Sequence, residues 1–459
     1  MRLAPLLFCA ALIPAPALAA TDWHAEGRAI LEKVIAIPTV QERADPRMGE
    51  LVSYLKGKFE AAGITDIAVK PYLNTQAMIV RWRAPGKTKA KPILLLGHMD
   101  VVEAKREDWS KDPFQLIEEG GYLYGRGTTD MKNGITAITT ALLRLKAEGF
   151  KPKRDIIVLF TGDEENGGRG AELAATEWRA LTDAEYALNA DAGGGAFMKD
   201  GTSVGFGLQT SEKMYQSFRF TVRNPGGHSS RPRPDNAIYE LASVLKKLET
   251  HRFTPALNET TRAYFAARAT QEKGALGDAM RRWLKNENDA EAADFIEADP
   301  TEVGSTRTRC VATRLEGGHA DNALPQLARA TVNCRILPGV PAKEVQAELQ
   351  AAVGAGVEIA PTVSSHPSPA SPLRPDVVKA YSDSIHKRHP GALIIPQMSA
   401  GATDGLYLRA TGMPVYGVDG TWIIIPDDER AHGRDERIPV KSFNENLDHW
   451  YDMLVKLAG

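Results

Sequence analysis

The chain has 459 residues, 43% of them hydrophobic and 25% charged, with a formal net charge of -2. This is the composition of a soluble globular protein, and the length predicts two domains rather than one. Both signs of charge are interspersed, which excludes the basic footprint of a nucleic-acid partner.

Arg2 precedes an apolar run from Leu3 to Ile13, and Ala17-Leu18-Ala19 then offers a small-x-small cleavage pattern. Residues 1–19 therefore read as an export signal cut before Ala20, which predicts a periplasmic or secreted protein. The run is too short for a stable bilayer span and is followed by Pro14 and Pro16, so no membrane anchor is expected. Cys9 lies inside the run and is not read as a lipid-attachment cysteine.

Beyond the signal, Trp23 to Ile37 and Arg47 to Ala62 have helical spacing, the second stopping at Gly63. Strands are predicted at Ala77 to Trp82 and Pro92 to Leu96, the latter a short apolar run suited to burial on both faces. From Ile135, the residues Ile138, Leu142 and Leu145 mark one face of a helix reaching Glu148. Further buried strands are predicted at Asp155 to Phe160 and Ala187 to Ala190.

The pattern changes near Thr210. Met214 to Val222 alternates like a half-exposed strand, and Asn224-Pro225-Gly226-Gly227 is a turn. Pro234 to Leu248 is predicted helical, and the charged stretch Arg262 to Asp294 reads as surface helices. Arg309 to Leu315 and Leu327 to Leu337 form a hairpin whose register, centred near Asn322, places Cys310 opposite Cys334. An exported protein could oxidise that pair; two small buried hydrophobes are the other reading. Helix Pro341 to Val353 and strand Val357 to Ala360 complete a βαβ-like module, and Pro361 to Pro372 is the return linker.

Val377 to His389 then reads as helix and Val415 to Val418 as strand. Ser442 opens the last helix with Glu445 three residues on, a capping box. The architecture predicted is α/β: a mixed sheet flanked by helices, interrupted by an inserted α+β domain. Its parts are 20–209, the insertion 210–369, and 370–459.

Polar clusters follow the predicted strands, and in open α/β sheets ligands bind at the carboxyl ends of strands. His98 and Asp100 suit a metal ligand and the carboxylate that orients it. Asp130, between Gly-Arg-Gly and a helix, is either a bridge between two metals or a helix cap. The adjacent carboxylates Glu164 and Glu165 are costly to bury without a cation, so Glu165 could ligate metal while Glu164 takes a proton from water. A solvated acidic turn is the alternative. Asp191 precedes glycines that admit close backbone approach, and His432 sits in a loop after the last strand. Two histidines and three carboxylates suit zinc, with cobalt or manganese possible.

Five ordered motifs sharpen this: Gly97-His98-Met99-Asp100, Gly125-Arg126-Gly127-Thr128-Thr129-Asp130, Gly162-Asp163-Glu164-Glu165, Gly226-Gly227-His228-Ser229-Ser230 and Ala431-His432-Gly433. Together they resemble the dinuclear zinc family of aminoacylase, glutamate carboxypeptidase, acetylornithine deacetylase and the carnosine-type dipeptidases. The resemblance implies two Zn2+ ions, one held by His98 and Asp191, the other by Glu165 and His432, with Asp130 bridging. It implies Glu164 as general base, a cis peptide at Asp130-Met131, and His228 as a lid histidine that stabilises the oxyanion, reaching the partner's site in dimers. Arg335, Asn322, Thr403 and Asp404 match positions near the substrate's carboxylate, although Thr403 and Asp404 also read as an ordinary turn into a helix. His319, His386 and His389 match no ligand position.

The function so implied is cleavage of an amide bond in a dipeptide or N-acyl amino acid with a free carboxylate. The insertion would serve as lid and homodimer interface. A deacylase and a non-catalytic metal-binding protein are the alternatives.

Overall fold

The computed structural model describes residues 21–41, 43, 47–86, 88–362 and 367–459; the predicted export signal lies outside them. In chain order the first part comprises α1 (Trp23–Ile35), α2 (Met48–Ala61), β1 (Asp66–Tyr72), β2 (Thr75–Trp82), β3 (Ile93–His98), α3 (Lys132–Ala147), β4 (Ile156–Thr161), β5 (Tyr186–Met198) and β6 (Ser203–Glu212). The middle contains β7 (Met214–Arg223), α4 (Ala237–Thr250), α5 (Glu259–Gln271), α6 (Gly274–Lys285), α7 (Ala290–Ala298), β8 (Arg309–Gly317), β9 (Leu327–Ile336), α8 (Ala342–Val353) and β10 (Glu358–Pro361). The chain returns through α9 (Pro375–Arg388), β11 (Ile394–Ser399), α10 (Gly405–Ala410), β12 (Val415–Ile425) and α11 (Val440–Ala458).

Eight strands form a mixed sheet in the order β1-β2-β4-β3-β5-β12-β6-β11, with β3 parallel to both β4 and β5 and β12 parallel to β5. The apolar runs of β3 and β4 are buried at every position, because helices cover both faces. On one face α1, α3 and α11 pack Leu31, Ile138, Leu142 and Trp450 against the sheet in one large core. A second sheet, β8-β9-β7-β10, is antiparallel throughout and has a core of its own built from β7, β9, α4 and α8. Lys213 alone separates β6 of the first sheet from β7 of the second.

Several expectations are corrected here. The strand predicted over Ala187 to Ala190 continues to Met198, and that over Val415 to Val418 continues to Ile425, because the two pair with each other along their length. Helices α5, α6 and α7 are more than a surface decoration: Phe265, Met280, Trp283 and Ile296 bury themselves in a separate small core. Ser442 does not open the last helix, which begins at Val440; its hydroxyl accepts from the Trp422 N–H, and Glu445 accepts from the indole of Trp422 and bonds His389. Cys310 faces Cys334 in the β8–β9 register and the two form a disulfide. Among the described residues, no helix is long and apolar enough to cross a membrane.

Candidate metal centre and active site

Loops and turns at strand ends bring the five candidate ligands together. His98 is the last residue of β3, Glu164 and Glu165 lie in the turn after β4, and Asp191 lies within β5 just past its buried half. Asp130 directly precedes Met131, the N-cap of α3, and the Asp130-Met131 peptide is cis. No side chain caps that helix, so the capping role considered for Asp130 is not the one it plays. Instead its two oxygens face different histidines. Oδ1 lies 3.2 Å from His98 Nε2, and Oδ2 lies 3.0 Å from His432 Nε2. His98 Nε2 is also 3.4 Å from Asp191 Oδ1, and His432 Nε2 is 3.0 Å from Glu165 Oε2. Two three-residue groups result, His98-Asp130-Asp191 and Asp130-Glu165-His432, with the ligand atoms of each group within 4.8 Å of one another. His432 sits between β12 and a further short strand at Arg437–Pro439, so its loop does not follow the last strand.

The electrostatics test whether a cation fits. Four carboxylates, Asp130, Asp191, Glu164 and Glu165, crowd two imidazoles, and among the described residues no lysine or arginine makes an ion pair with any of the four. Burial pushes Asp191 up to about 7 and Glu164 well above the usual carboxylate range, with neighbouring carboxylates adding to the rise for both. Glu165 is raised by the same burial. Asp130 goes the other way: hydrogen bonds from His432 and His98 outweigh its burial and hold it well below its ordinary value. Hydrogen bonds to Asp130 and Glu165 push His432 up to about 10. Burial works against a charged His98, yet Asp191, Asp100 and Asp130 raise it well above its ordinary value. Excess negative charge with nitrogen and oxygen donors, and with protons filling the role of a counter-ion, is the environment a divalent cation fits.

Asp100 does more than orient His98. It is fully buried; its two oxygens accept the backbone N–H groups of Glu164 at 3.2 Å and Glu165 at 3.0 Å. His98 Nδ1 lies closer to the Asp100 carbonyl oxygen, 3.1 Å, than to its carboxylate, 3.4 Å. One side chain thus fixes the strand end that carries the histidine to the turn that carries both glutamates. Glu164 itself points an oxygen to 4.0 Å from His98 Nε2 without joining either three-residue group.

The site opens into a cleft of about 380 Å³ bordered by Glu164, Glu165, Tyr215, Asp404, Tyr407 and His432. Thr403 and Asp404 border it as well as leading into α10, so both readings of that turn apply. The Thr403 hydroxyl donates to Glu212 at 2.6 Å, whereas buried Asp404 accepts from the Thr161 hydroxyl and leaves Oδ1 without a hydrogen-bond partner. Burial raises the Asp404 carboxyl well above its ordinary value. Arg335, on β9, stacks on Tyr215 at 4.9 Å and donates to the Ala400 carbonyl at 3.1 Å, which places it behind Tyr215 and outside the residues that border the cleft. His228 and Asn322 stand together on the second sheet's side, both exposed, where Ser229 N–H donates to the Asn322 carbonyl at 3.0 Å. The bonds recorded for the His228 ring are to Ser230. His319 is exposed, His386 bonds the Ala392 carbonyl and His389 bonds Glu445.

Sequence reasoning missed Glu436 and Arg126. Glu436 accepts the backbone N–H groups of Gly127, Thr129 and Asp130 and the hydroxyl of Thr129, and pairs with Arg126. Arg126 also donates to the carbonyls of His432 and Gly433. Arg126 stands inside the motif that carries Asp130, and Glu436 lies four residues beyond His432. An acid in one ligand loop and a base in the other was the available signal.

Residues 94–456 match the family described as Peptidase family M20/M25/M40, so the chain belongs to that family and is a peptidase or amidohydrolase of it. It is 27% identical over 441 residues to the N-fatty-acyl-amino acid synthase/hydrolase PM20D1 of Xenopus tropicalis, covering 93% of this chain and 84% of that protein. It is 27% identical over 451 residues to aminoacylase-1 of Pongo abelii, covering 94% and 95%. Its fold is similar to that of the M20 family metallo-carboxypeptidase Sso-CP2 from Sulfolobus solfataricus, with a TM-score of 0.68 at 18% identity, over 94% and 99% of the two chains.

Proposed function

We propose that the protein is an exported two-zinc hydrolase that cleaves the amide bond of dipeptides or N-acyl amino acids carrying a free carboxylate. The observation that carries this reading is the placement of Asp130, one oxygen toward each histidine, with Glu164 beside the cluster and outside it. His98, Asp191 and Asp130 would hold one ion; Glu165, His432 and Asp130 the other, with cobalt or manganese as possible substitutes. When bound, the pair supplies Lewis acidity for the attacking water and for the carbonyl oxygen.

This chain's own groups do the rest. Glu164, buried at the cleft wall with a raised pKa, takes a proton from the water as its oxygen bonds the amide carbon. It returns that proton to the nitrogen as the carbon–nitrogen bond breaks. Asp100 holds the backbone of Glu164 and Glu165, keeping base and ligand apart. Arg335 binds the substrate carboxylate, a task its planar fork suits, while Asn322 stands with His228 at the other end of the β8–β9 hairpin. In a homodimer, His228 would reach the site of the second copy and supply a hydrogen bond to the developing oxyanion there.

The exposed edge strand β8, with Val311 61% and Leu315 67% exposed, is where a second copy would join to make a homodimer. Export rests on the N-terminal signal. The names of the PM20D1 and aminoacylase-1 relatives support N-acyl amino acids as one substrate class within this reading.

The deciding experiment pairs dipeptides with N-acetyl and long-chain N-acyl amino acids, with zinc and with chelator. Turnover that chelator abolishes and zinc restores is expected. Chelator-insensitive turnover would overturn the two-metal mechanism, and zinc-loaded protein without turnover would favour a binding protein.

A further inference from the structure

Asp191 owes its place to an irregularity in β5. That strand pairs with β3 as far as Asn189, opposite Leu96, and Asn189 also faces Gly417 of β12. The next β12 pair joins Gly193 to Asp419, so Ala190, Asp191 and Ala192 stand opposite Val418 alone. Gly193 takes up the excess at φ +105°, a conformation that favours glycine. A bulge of this kind re-aims a side chain, and here it turns Asp191 toward His98.

Asn189 pins the bulge. Its side chain is wholly buried, and its Oδ1 accepts the Asp191 N–H at 3.1 Å. Because a backbone N–H can only donate, the amide is held with its nitrogen on the other side, where Nδ2 donates to the Thr403 hydroxyl at 3.1 Å. That hydroxyl also accepts the Gly405 N–H at 3.1 Å and donates to Glu212 at 2.6 Å. A hydroxyl has one donor and two acceptor positions, and all are taken. The Thr403 N–H is taken as well, by the second Glu212 oxygen at 3.2 Å. Thr403 thus borders the cleft with neither of its donors free for a substrate.

Glu212, the last residue of β6, is buried and anchored in turn by Arg409 at 2.8 Å and by the Gln209 amide at 3.1 Å. Every side-chain polar atom of Glu212, Thr403 and Asn189 therefore has a partner, the condition under which a buried network stiffens its members. The series ends on a metal ligand.

We propose that Asn189 and Thr403, fastened by Glu212, are positioning residues for Asp191 and set the affinity for the cation held between His98 and Asp191. This rests on the two-metal reading. Among the described residues, the bonds of these three side chains do not include Glu165 or His432, so the second cation serves as an internal control.

The test uses zinc alone: equilibrium dialysis of the protein against graded zinc buffers, read by metal analysis, with thermal melting to check that each variant is folded. Thr403→Val keeps the shape of the side chain and removes the hydroxyl. It should weaken one ion about tenfold to a hundredfold, the usual effect of losing a group that orients a metal ligand, and leave the other near wild type. Thr403→Ser should restore both. Asn189→Ser, too short to span its two partners, breaks the series independently and should repeat the pattern. Asp191→Asn should weaken the same ion, and adding Thr403→Val should weaken neither ion further, because residues that act through one another are not additive. A general loss of stability would instead add to the Asp191→Asn effect and lower both affinities. Wild-type affinity for both ions in Thr403→Val and Asn189→Ser, or additive losses in the double variant, overturns the proposal and leaves the two-metal reading intact. Wild-type protein that binds fewer than two zinc ions overturns both.

Discussion

Glu436 Oε2 accepts from Arg126 Nη1 at 2.7 Å, and both side chains are almost wholly withdrawn from solvent. The pair ties the loop of one ligand, His432, to the loop of another, Asp130, through four further bonds to Glu436 from Gly127, Thr129 and Asp130. Breaking a buried pair by removing one partner costs about 3–5 kcal/mol. Glu436→Ala is therefore expected to lower unfolding free energy by that order and to weaken zinc retention. Denaturant titration and equilibrium dialysis measure the two; wild-type zinc affinity in the variant would sink the idea that this pair sets the ligand spacing.

Glu164→Gln should separate chemistry from metal binding. Glu164 belongs to neither three-residue group, so the variant should keep wild-type metal content. Turnover should fall roughly a hundredfold to ten-thousandfold, the usual contribution of a positioned base. Metal analysis beside steady-state kinetics reads both quantities, and joint loss of metal would make Glu164 a ligand.

Zinc uptake should expel protons. In the metal-free protein His432 is raised to about 10 by Asp130 and Glu165, and burial raises Asp191 to about 7. At neutral pH the histidine is thus protonated and the aspartate about half so, whereas metal ligation requires both free of protons. Binding should release at least one proton at pH 7 and strengthen as pH rises toward 10. Calorimetry in buffers of different ionisation enthalpy counts the protons, and an enthalpy independent of buffer would refute the assignment.

His449 predicts an acid limb unrelated to the metals. Its ring is buried, accepts from the Ser384 hydroxyl at 2.9 Å and donates to the Val418 carbonyl at 2.8 Å, which fits the neutral form. Burial pulls its pKa down to about 3. With the folded value below the unfolded value near 6.5, its stability contribution is whole above that pH. It is lost as pH falls toward 3, at up to about 1.4 kcal/mol per unit. His449→Gln should show a shallower decline in urea midpoint between pH 6.5 and 3, whatever it costs at pH 7; parallel curves would refute this.

Reducing Cys310–Cys334 should loosen the second sheet. The bond closes a loop with a sequence separation of 24, for which chain entropy alone suggests about 3 kcal/mol. Cys310→Ala should melt earlier than the oxidised wild type and match the wild type in reductant. Equal melting of all three would argue against any contribution.

Three of the candidate ligands, His98, Glu165 and Asp191, were legible in the sequence because each stands at a local break in pattern: an apolar strand ends, and a histidine or carboxylate follows. His98, Glu164 and Glu165 could be placed that way before any contact was known. The relation between Asp130 and Glu436 could not, since it links residues more than three hundred positions apart by backbone N–H groups that leave no mark on composition. Ser442 illustrates a different failure. Ser followed by Glu three residues on fits a capping box, but tertiary bonds to Trp422 recruit both side chains inside a helix already begun. The core formed by Phe265, Met280 and Trp283 was hidden by the charged residues around it.

The single residue between β6 and β7 gives Lys213 a mechanical part. With no slack on the outgoing side, any movement of the second sheet would have to turn as a door does, about a jamb one residue wide. Glu212 locks that jamb to the central body through Arg409 and Thr403. Arg335 and His228 ride on the door, while Glu164 and the five ligands stay in the frame.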